Sequence, residues 1–464
     1  MSATGCNKES QEVEQGGETF IEIPEPLTVL VVGDSGLGPR LERQWAARKD
    51  GELTIVDVTL VSFIESDFEI PPAIDVVVFA PLMLGDLVSR DLLMEVPDDV
   101  WTSETLNKNE LLRHFRTLVV QHADGNWAVP LGSPCFSMIC NEAVFERAEV
   151  EPPVSWNKME RCLRNLKTFI DETNAPKLLA EVDMPLAKGW AAHVFLARAA
   201  PAIAQRGRLS TVLDRQTMKP LIAELPFVEA LEQLQSIATE RSLDLTPRDV
   251  YELAISGDSS IALGWPARGF VDASEIDESQ DAVENLRIVS LPGVTTWFDK
   301  TSGSWVKRGQ DDQTKVDLIG FSGLIAGVSS QSQKEQTAWE FLEWLSSKSI
   351  SLVTLTESPS VGPFRASHLG DVSRWTGDRI SEDVSDEYSE VVSANHDRPQ
   401  AMIFPRLPYQ HLYLEVLDKE VRLAVSGEKS AEASLAAVAE KWDAITDSIG
   451  RKAQIKRLKQ TRGL

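Results

Sequence analysis

The chain has 464 residues, more than one core comfortably holds, so two large domains are the expectation. Its 42% hydrophobic and 25% charged residues are those of a soluble globular protein, and no stretch approaches the ~20 consecutive apolar residues that a membrane-spanning helix needs. With 46 basic against 71 acidic residues, a formal charge of −25, the surface repels a phosphate backbone, which excludes nucleic acid as a partner.

In chain order, residues 1–26 open with a polar, acidic, aperiodic run that reads as a flexible tether. Leu27–Val32 is a buried strand, Gly33-Asp34-Ser35-Gly36 begins a turn, and Arg40 to Arg48 is a helix with Leu41 and Trp45 on one face. Leu53 to Val61 is a second strand. Ala73 to Pro81 is a third, whose uninterrupted apolar run fits a parallel sheet covered on both faces. A helix follows from Met83 to Leu93. Trp127 to Asn141 is an apolar run broken by Gly132-Ser133-Pro134. Proline removes a ladder donor and glycine weakens strand packing, so the break reads as a crossover between two domains.

Beyond it come a short helix at 142–148, the punctuation Glu151-Pro152-Pro153, and a helix from Met159 to Ile170, with Trp156 expected to pack. Another helix starts at Trp190 and a further one covers Pro226–Leu234. Val250 to Pro266 runs into a strand that ends at Trp265, and Leu286–Gly293 returns as a strand. A polar excursion with tryptophans spans 294–315, Val316–Ser329 crosses back, and Lys334–Leu345 is an amphipathic helix. Residues 377–397 read as an acidic, mobile insert. Helices at 410–425 and 431–449 follow, separated by Gly427, and the basic stretch 450–464 reads as a solvated helix end.

Several of these blocks resemble one family. The order Trp127-Ala128-Val129-Pro130-Leu131-Gly132-Ser133, apolar strand, Asn141, Phe145, Ala148, Pro152-Pro153, Ser155-Trp156 resembles the central block of extracellular solute-binding protein family 1, the maltose-binding-protein-like group of ABC importers. The segments Val250–Pro266, Lys334–Leu345 and Ser358-Pro359-Ser360-Val361-Gly362-Pro363-Phe364-Arg365 resemble further family blocks, with Ser260-Ile261 standing where Ala-Met is usual. The resemblance runs with gaps from about 27 to 449. It implies an α/β, periplasmic-binding-protein-like fold: two doubly wound lobes joined by a multi-strand hinge, with a cleft between them. The lobes are expected at 27–131 plus 266–318 and at 135–264 plus 322–449, with crossings at 132–137, within 264–286 and at 318–324. It further implies a monomeric, extracytoplasmic substrate-binding component that closes on a sugar or another polar solute and delivers it to a membrane permease.

Strand ends and helix starts in such lobes present free backbone N–H groups, and interleaved aromatics supply the flat apolar area that a sugar ring needs. The expected ligand site therefore draws on Asp34, Ser35, Pro81, Leu82, Ser133, Pro134, Trp190, Trp265, Phe321, Ser322, Arg406 and Tyr409, with Asp34 and Arg406 bonding hydroxyls. Trp190 and Trp265 match cleft-bordering positions of the resembled family. Ala3-Thr4-Gly5-Cys6-Asn7 resembles the end of a bacterial lipoprotein signal, which makes Cys6 the expected lipid anchor.

An enzymatic alternative starts from Gly33-Asp34-Ser35, which resembles the nucleophile block of GDSL-type hydrolases. That family takes its base from Asp-x-x-His, and none of the six histidines has Asp three residues earlier, so no catalysis is expected at Ser35. A third reading keeps the binding fold for sensing or interaction. The cysteines at 6, 135, 140 and 162 form no CxxC pair, and the histidines lack metal-ligand spacing, so no metal or cofactor is expected. Cys135 and Cys140 read as small core or cleft-wall residues.

Overall fold

The continuous apolar run Leu27–Val32 becomes the second strand of a five-stranded sheet with order 53–58, 27–32, 76–79, 324–328, 129–132. The first three strands are parallel, and Leu324–Val328 runs antiparallel to both of its neighbours. Val76–Phe79 and Leu324–Val328 are buried throughout, as strands covered on both faces must be. A second sheet has the order 286–290, 137–141, 261–264, 182–183, antiparallel except for its last pair. This is a computed structural model, and it describes residues 26–48, 52–173, 180–204, 210–270, 283–299, 302–309 and 312–461. The expected tether and the Cys6 anchor lie outside the described residues, apart from Pro26.

Each sheet has its own core. One cluster gathers residues from Leu27 to Leu131 together with Leu324 to Phe364 and Trp375. The other gathers residues from Cys135 to Leu318, Phe321, Val372 and those from Ile380 to Leu458, except that Ile319 and Ile403 join the first cluster. The two-lobed α/β architecture is therefore present, and the chain leaves the first sheet at Gly132 and enters the second at Ser137.

The expected lobe boundaries are corrected. Segment 266–318 belongs to the second lobe, because Leu286–Ser290 pairs with Ser137–Asn141 on the edge opposite Ile261–Gly264 and places Ile288 beside Ile139. The crossing expected within 264–286 is not supported, since the described strands on either side of that interval, Ile261–Gly264 and Leu286–Ser290, share one sheet. Segment 324–364 belongs to the first lobe, where Ile325 pairs with Phe79 and Pro130. The third crossing instead follows Phe364 in the first core and precedes Ile380 in the second. Pattern alone marks these strands as buried; which sheet buries them is a long-range choice.

The insert 377–397 is also corrected. Glu382–Asp397 is a helix capped by Ser381, which accepts from the Val384 N–H at 3.3 Å, and it buries Val384, Tyr388, Val391 and Val392. Glu387 Oε2 accepts from the Ile288 N–H at 2.7 Å, so this helix covers a polar group on the sheet's edge strand. The polar excursion is a hairpin, Thr296–Asp299 with Ser304–Lys307. The basic end is a helix, Arg451–Gln460, that buries Gln454 and Leu458 and leaves Lys452, Lys456 and Lys459 exposed. Its Arg451 pairs with Asp443 and Asp447, each at 2.7 Å, and Arg457 Nη2 reaches the Ser89 carbonyl of the first lobe at 3.2 Å.

Candidate functional site: the seam between the lobes

The first and second crossings touch backbone to backbone. Ser133 Oγ donates to the Ser322 carbonyl at 2.7 Å, and Gly323, at φ 113°, lies so close that a Cβ would stand 2.8 Å from the Ser133 Cα. Ser322 Oγ donates in turn to the Ser360 carbonyl at 3.4 Å, and Ser358 Oγ donates to the Asp34 carboxylate. A line of short polar groups thus runs from the first βα turn to the crossing strands, and it brings together Asp34, Ser133 and Ser322 of the expected site. Ser358 and Ser360 were not nominated from sequence, although Ser358-Pro359-Ser360-Val361-Gly362-Pro363 has the turn composition that signals a loop at a strand end. Asp34 is half-buried, Ser35 is exposed on the turn, and Pro134 is buried.

Beside this line sits an aromatic cluster built at the crossings. Phe136 and Phe321 stack at 4.4 Å, Trp265 meets them edge-on at 5.4 and 5.7 Å, and Trp190 lies 5.7 Å from Trp265. Phe270 and His193 complete it. Offset and edge-on rings contribute beyond their area. Trp265 was expected as a ligand contact; it is 1% exposed, because the strand it ends runs straight into this cluster, and its buried Nε1 has no hydrogen-bond partner among the described residues. Trp190 is half-buried at the start of the Ala191–Ile203 helix.

The remaining expected residues form a second group at which the lobes are bonded together. Arg406 was expected to bond a ligand hydroxyl. Instead its buried guanidinium donates to the carbonyls of Val119 at 2.6 Å, Leu118 at 2.7 Å and Gln121, all in the first lobe. Desolvation, with no carboxylate opposing it, pushes this group down to about 9. Tyr409, held at φ 61°, donates its N–H to Asp86 Oδ1 at 2.7 Å, and the Leu82 carbonyl accepts from Gln410. Burial raises Asp86 to about 6, opposed by the Tyr409 N–H and by Arg90. Gly85 lies directly against the Arg406 carbonyl, where any Cβ would collide. Pro81 is buried on the same helix start.

A third set of contacts joins the lobes behind the crossings. Phe115 of the first lobe stacks on His396 of the second at 5.0 Å, His114 lies 5.2 Å from His396, and His114 Nε2 donates to the Arg398 carbonyl at 3.1 Å. Cys135 Sγ lies 3.8 Å from His396 Nε2, and desolvation pushes its thiol up to about 12 while lowering His114 to about 4 and His396 to about 3. These groups are neutral packing partners at ordinary pH. Cys135 and Cys140 are both buried. Among the described residues no group of three or more His, Cys, Asp or Glu side chains is arranged to hold a metal ion, and no helix is long and apolar enough to cross a membrane.

No protein-family model matches the sequence, and no curated protein does. Solved structures do match in fold. Maltose-bound MalE3 of T. maritima superposes with a TM-score of 0.63 at 14% identity, covering 91% of this chain and 100% of that one. An ABC transporter solute-binding protein from Agrobacterium radiobacter in complex with ribitol gives 0.65 at 14% identity, covering 91% and 99%. The sugar-binding protein MalE of Xanthomonas citri gives 0.65 at 14%, covering 91% and 98%. The chain thus has the two-lobed fold of ABC-importer solute-binding proteins across 91% of its length.

Proposed function

We propose that the protein is the substrate-binding component of an ABC importer, closing two lobes about a hinge on a sugar, polyol or similar polar solute. The observation that carries this reading is the seam itself. Separate crossings meet at Ser133, Ser322 and Gly323, flanked by the polar line to Asp34 on one side and by the Phe136–Phe321–Trp265–Trp190 cluster on the other. Hydroxyl acceptors next to flat apolar rings are the chemistry a polyhydroxylated ligand requires. The named ligands of the fold relatives, maltose and ribitol, support the same class. Within this reading Asp34, Ser35, Ser322 and Trp190 supply ligand contacts, the protein acts outside the cytoplasm as a monomer with a membrane permease as its partner, Cys6 carries the lipid anchor, and no turnover occurs at Ser35.

A melting screen over sugars, polyols and amino acids tests it, because a ligand bound only by the native state raises the midpoint. The expected result is a saturable rise for at least one polyhydroxylated compound; no rise for any of them at millimolar concentration overturns the reading. A second reading, a binding-protein fold kept for sensing or interaction, is favoured by one observation: Arg406 bonds three carbonyls of the opposite lobe, so the lobes hold each other without a solute. Scattering profiles that stay unchanged on adding any ligand of the screen would favour that alternative.

A further inference from the structure

A cavity of about 220 Å³ lies inside the second lobe, away from the seam, under the hairpin Thr296–Asp299/Ser304–Lys307. It is far larger than the space one water needs. Arg198 lines it, on the Ala191–Ile203 helix and roughly 12 Å along that helix from Trp190 at ~1.5 Å per residue. Arg198 is 6% exposed, and its guanidinium lies over the Trp156 ring at 4.9 Å. Its Nε donates to Gln233 Oε1 at 2.8 Å, Nη2 donates to the same oxygen, and Gln233 Nε2 donates to the Trp156 carbonyl at 2.8 Å, so the group is held rigidly by neutral partners. Nη1 is buried and has no hydrogen-bond partner among the described residues. Burial pushes this group down to about 9, opposed only by the charge of Glu229.

A buried cation paired with one amide oxygen is costly, and the natural completion is an anion on its open edge. The Nε–Nη2 edge is occupied by Gln233, which leaves the Nη1 side; a planar fork matches carboxylate and phosphate alike, and the apolar patch beside it favours the carboxylate of a ligand with an aliphatic body. Ala202, Ala230 and Val294 give the wall an apolar patch, with Asn157 and Thr296 polar beside it. At the mouth Glu229 is exposed and accepts from Trp305 Nε1 at 3.0 Å, and its negative charge disfavours a second carboxylate on the ligand. We propose that this cavity is a second ligand site, independent of the seam, that takes a small monocarboxylate with a short aliphatic body, its carboxylate on Arg198 and its chain between Ala202, Ala230 and Val294. The site goes beyond solute transport and stands whether or not the seam binds a sugar.

The test uses the whole protein with butyrate, 1-butanol, succinate and inorganic phosphate at constant ionic strength, followed by saturation-transfer NMR and thermal melting. Butyrate is expected to bind saturably and raise the midpoint, with at least tenfold weaker binding of succinate and phosphate and none of 1-butanol. Arg198→Gln is expected to abolish butyrate binding, and Ala230→Met, which puts a longer side chain into the cavity from the Leu225–Ile237 helix, to do the same. Trp190→Ala, at the seam and roughly 12 Å from Arg198 along their shared helix, should leave butyrate binding as it was. Equal binding of butyrate and 1-butanol, phosphate binding without butyrate binding, no butyrate binding at all, or butyrate binding that survives Ala230→Met would each overturn the proposal.

Discussion

The guanidinium of Arg406 donates to the Val119 carbonyl at 2.6 Å across the boundary between the two lobes. Its other bonds go to Leu118 and Gln121, so one side chain from the segment that opens the Gln410–Val425 helix caps a π-helical turn of the first lobe, Phe115–Val119. That relationship decides how closure is held and yields the first expectation. Arg406→Met leaves three carbonyls short of a donor, that of buried Val119 and those of half-buried Leu118 and Gln121, while keeping most of the side-chain volume. Stability should fall by about 3 kcal/mol, since bonds to charged donors are the strong ones and their loss strands the acceptors. Denaturant unfolding checks the magnitude, and small-angle scattering should show a larger radius of gyration as the lobes part.

Trp265 and Trp190 separate packing from binding. Trp265→Ala empties the middle of the Phe136–Phe321–Phe270 cluster and should cost about 3–5 kcal/mol of stability, read by chemical denaturation. Trp190→Ala removes a half-buried ring and should move the melting midpoint far less, while weakening a ligand found in the screen roughly tenfold, as loss of a stacking surface worth ~1.4 kcal/mol does.

Asp34 accepts from Ser358 at the end of the polar line. Replacing it by Asn keeps an acceptor and should cost under ~1 kcal/mol of stability. Asp34→Ala should weaken the same ligand by about tenfold or more, measured by calorimetry, because a buried hydroxyl would then lose its acceptor. Equal affinity in Asp34→Ala and the parent places the ligand elsewhere.

His396 carries a pH signature. Burial holds it at about 3 when folded, against ~6.5 in an unfolded chain. Above pH 6.5 both states are neutral and the group contributes no pH dependence. Below it the unfolded chain binds a proton that the folded protein refuses, so stability is lost as pH falls from 6.5 toward 4, by up to ~1.4 kcal/mol per pH unit for this one residue. His114, beside it, behaves likewise. Asp86 and Asp317 are raised by burial and act with the opposite sign, which is why the difference between the parent and His396→Gln is the useful quantity. The variant should gain on the parent progressively from pH 6.5 to 4 in urea unfolding curves; parallel curves would contradict it.

Local chemistry was enough to determine the elements. Alternating or continuous apolar runs marked Leu27–Val32, Val76–Phe79, Ser137–Asn141 and Leu324–Val328 as strands, helical spacing marked Met159–Thr173 and Glu335–Ser346, and Gly132-Ser133-Pro134 marked a crossover because those residues interrupt a strand. The same local signals nominated Asp34, Ser133 and Ser322, which do converge. Pairing was beyond that reach. That Leu286–Ser290 joins Ser137–Asn141, and that Leu324–Val328 inserts between Val76–Phe79 and Val129–Gly132, depends on which of several equally apolar strands lies alongside, a choice made by loop closure and packing over more than a hundred residues. Orientation was beyond it too. A tryptophan after a strand or an arginine ahead of a helix has the composition of a ligand contact whichever way it faces. Only the tertiary structure turned Trp265 into the aromatic core and gave Arg406 the carbonyls of the opposite lobe, because burial and hydrogen-bond partners are properties of neighbours the local sequence does not contain.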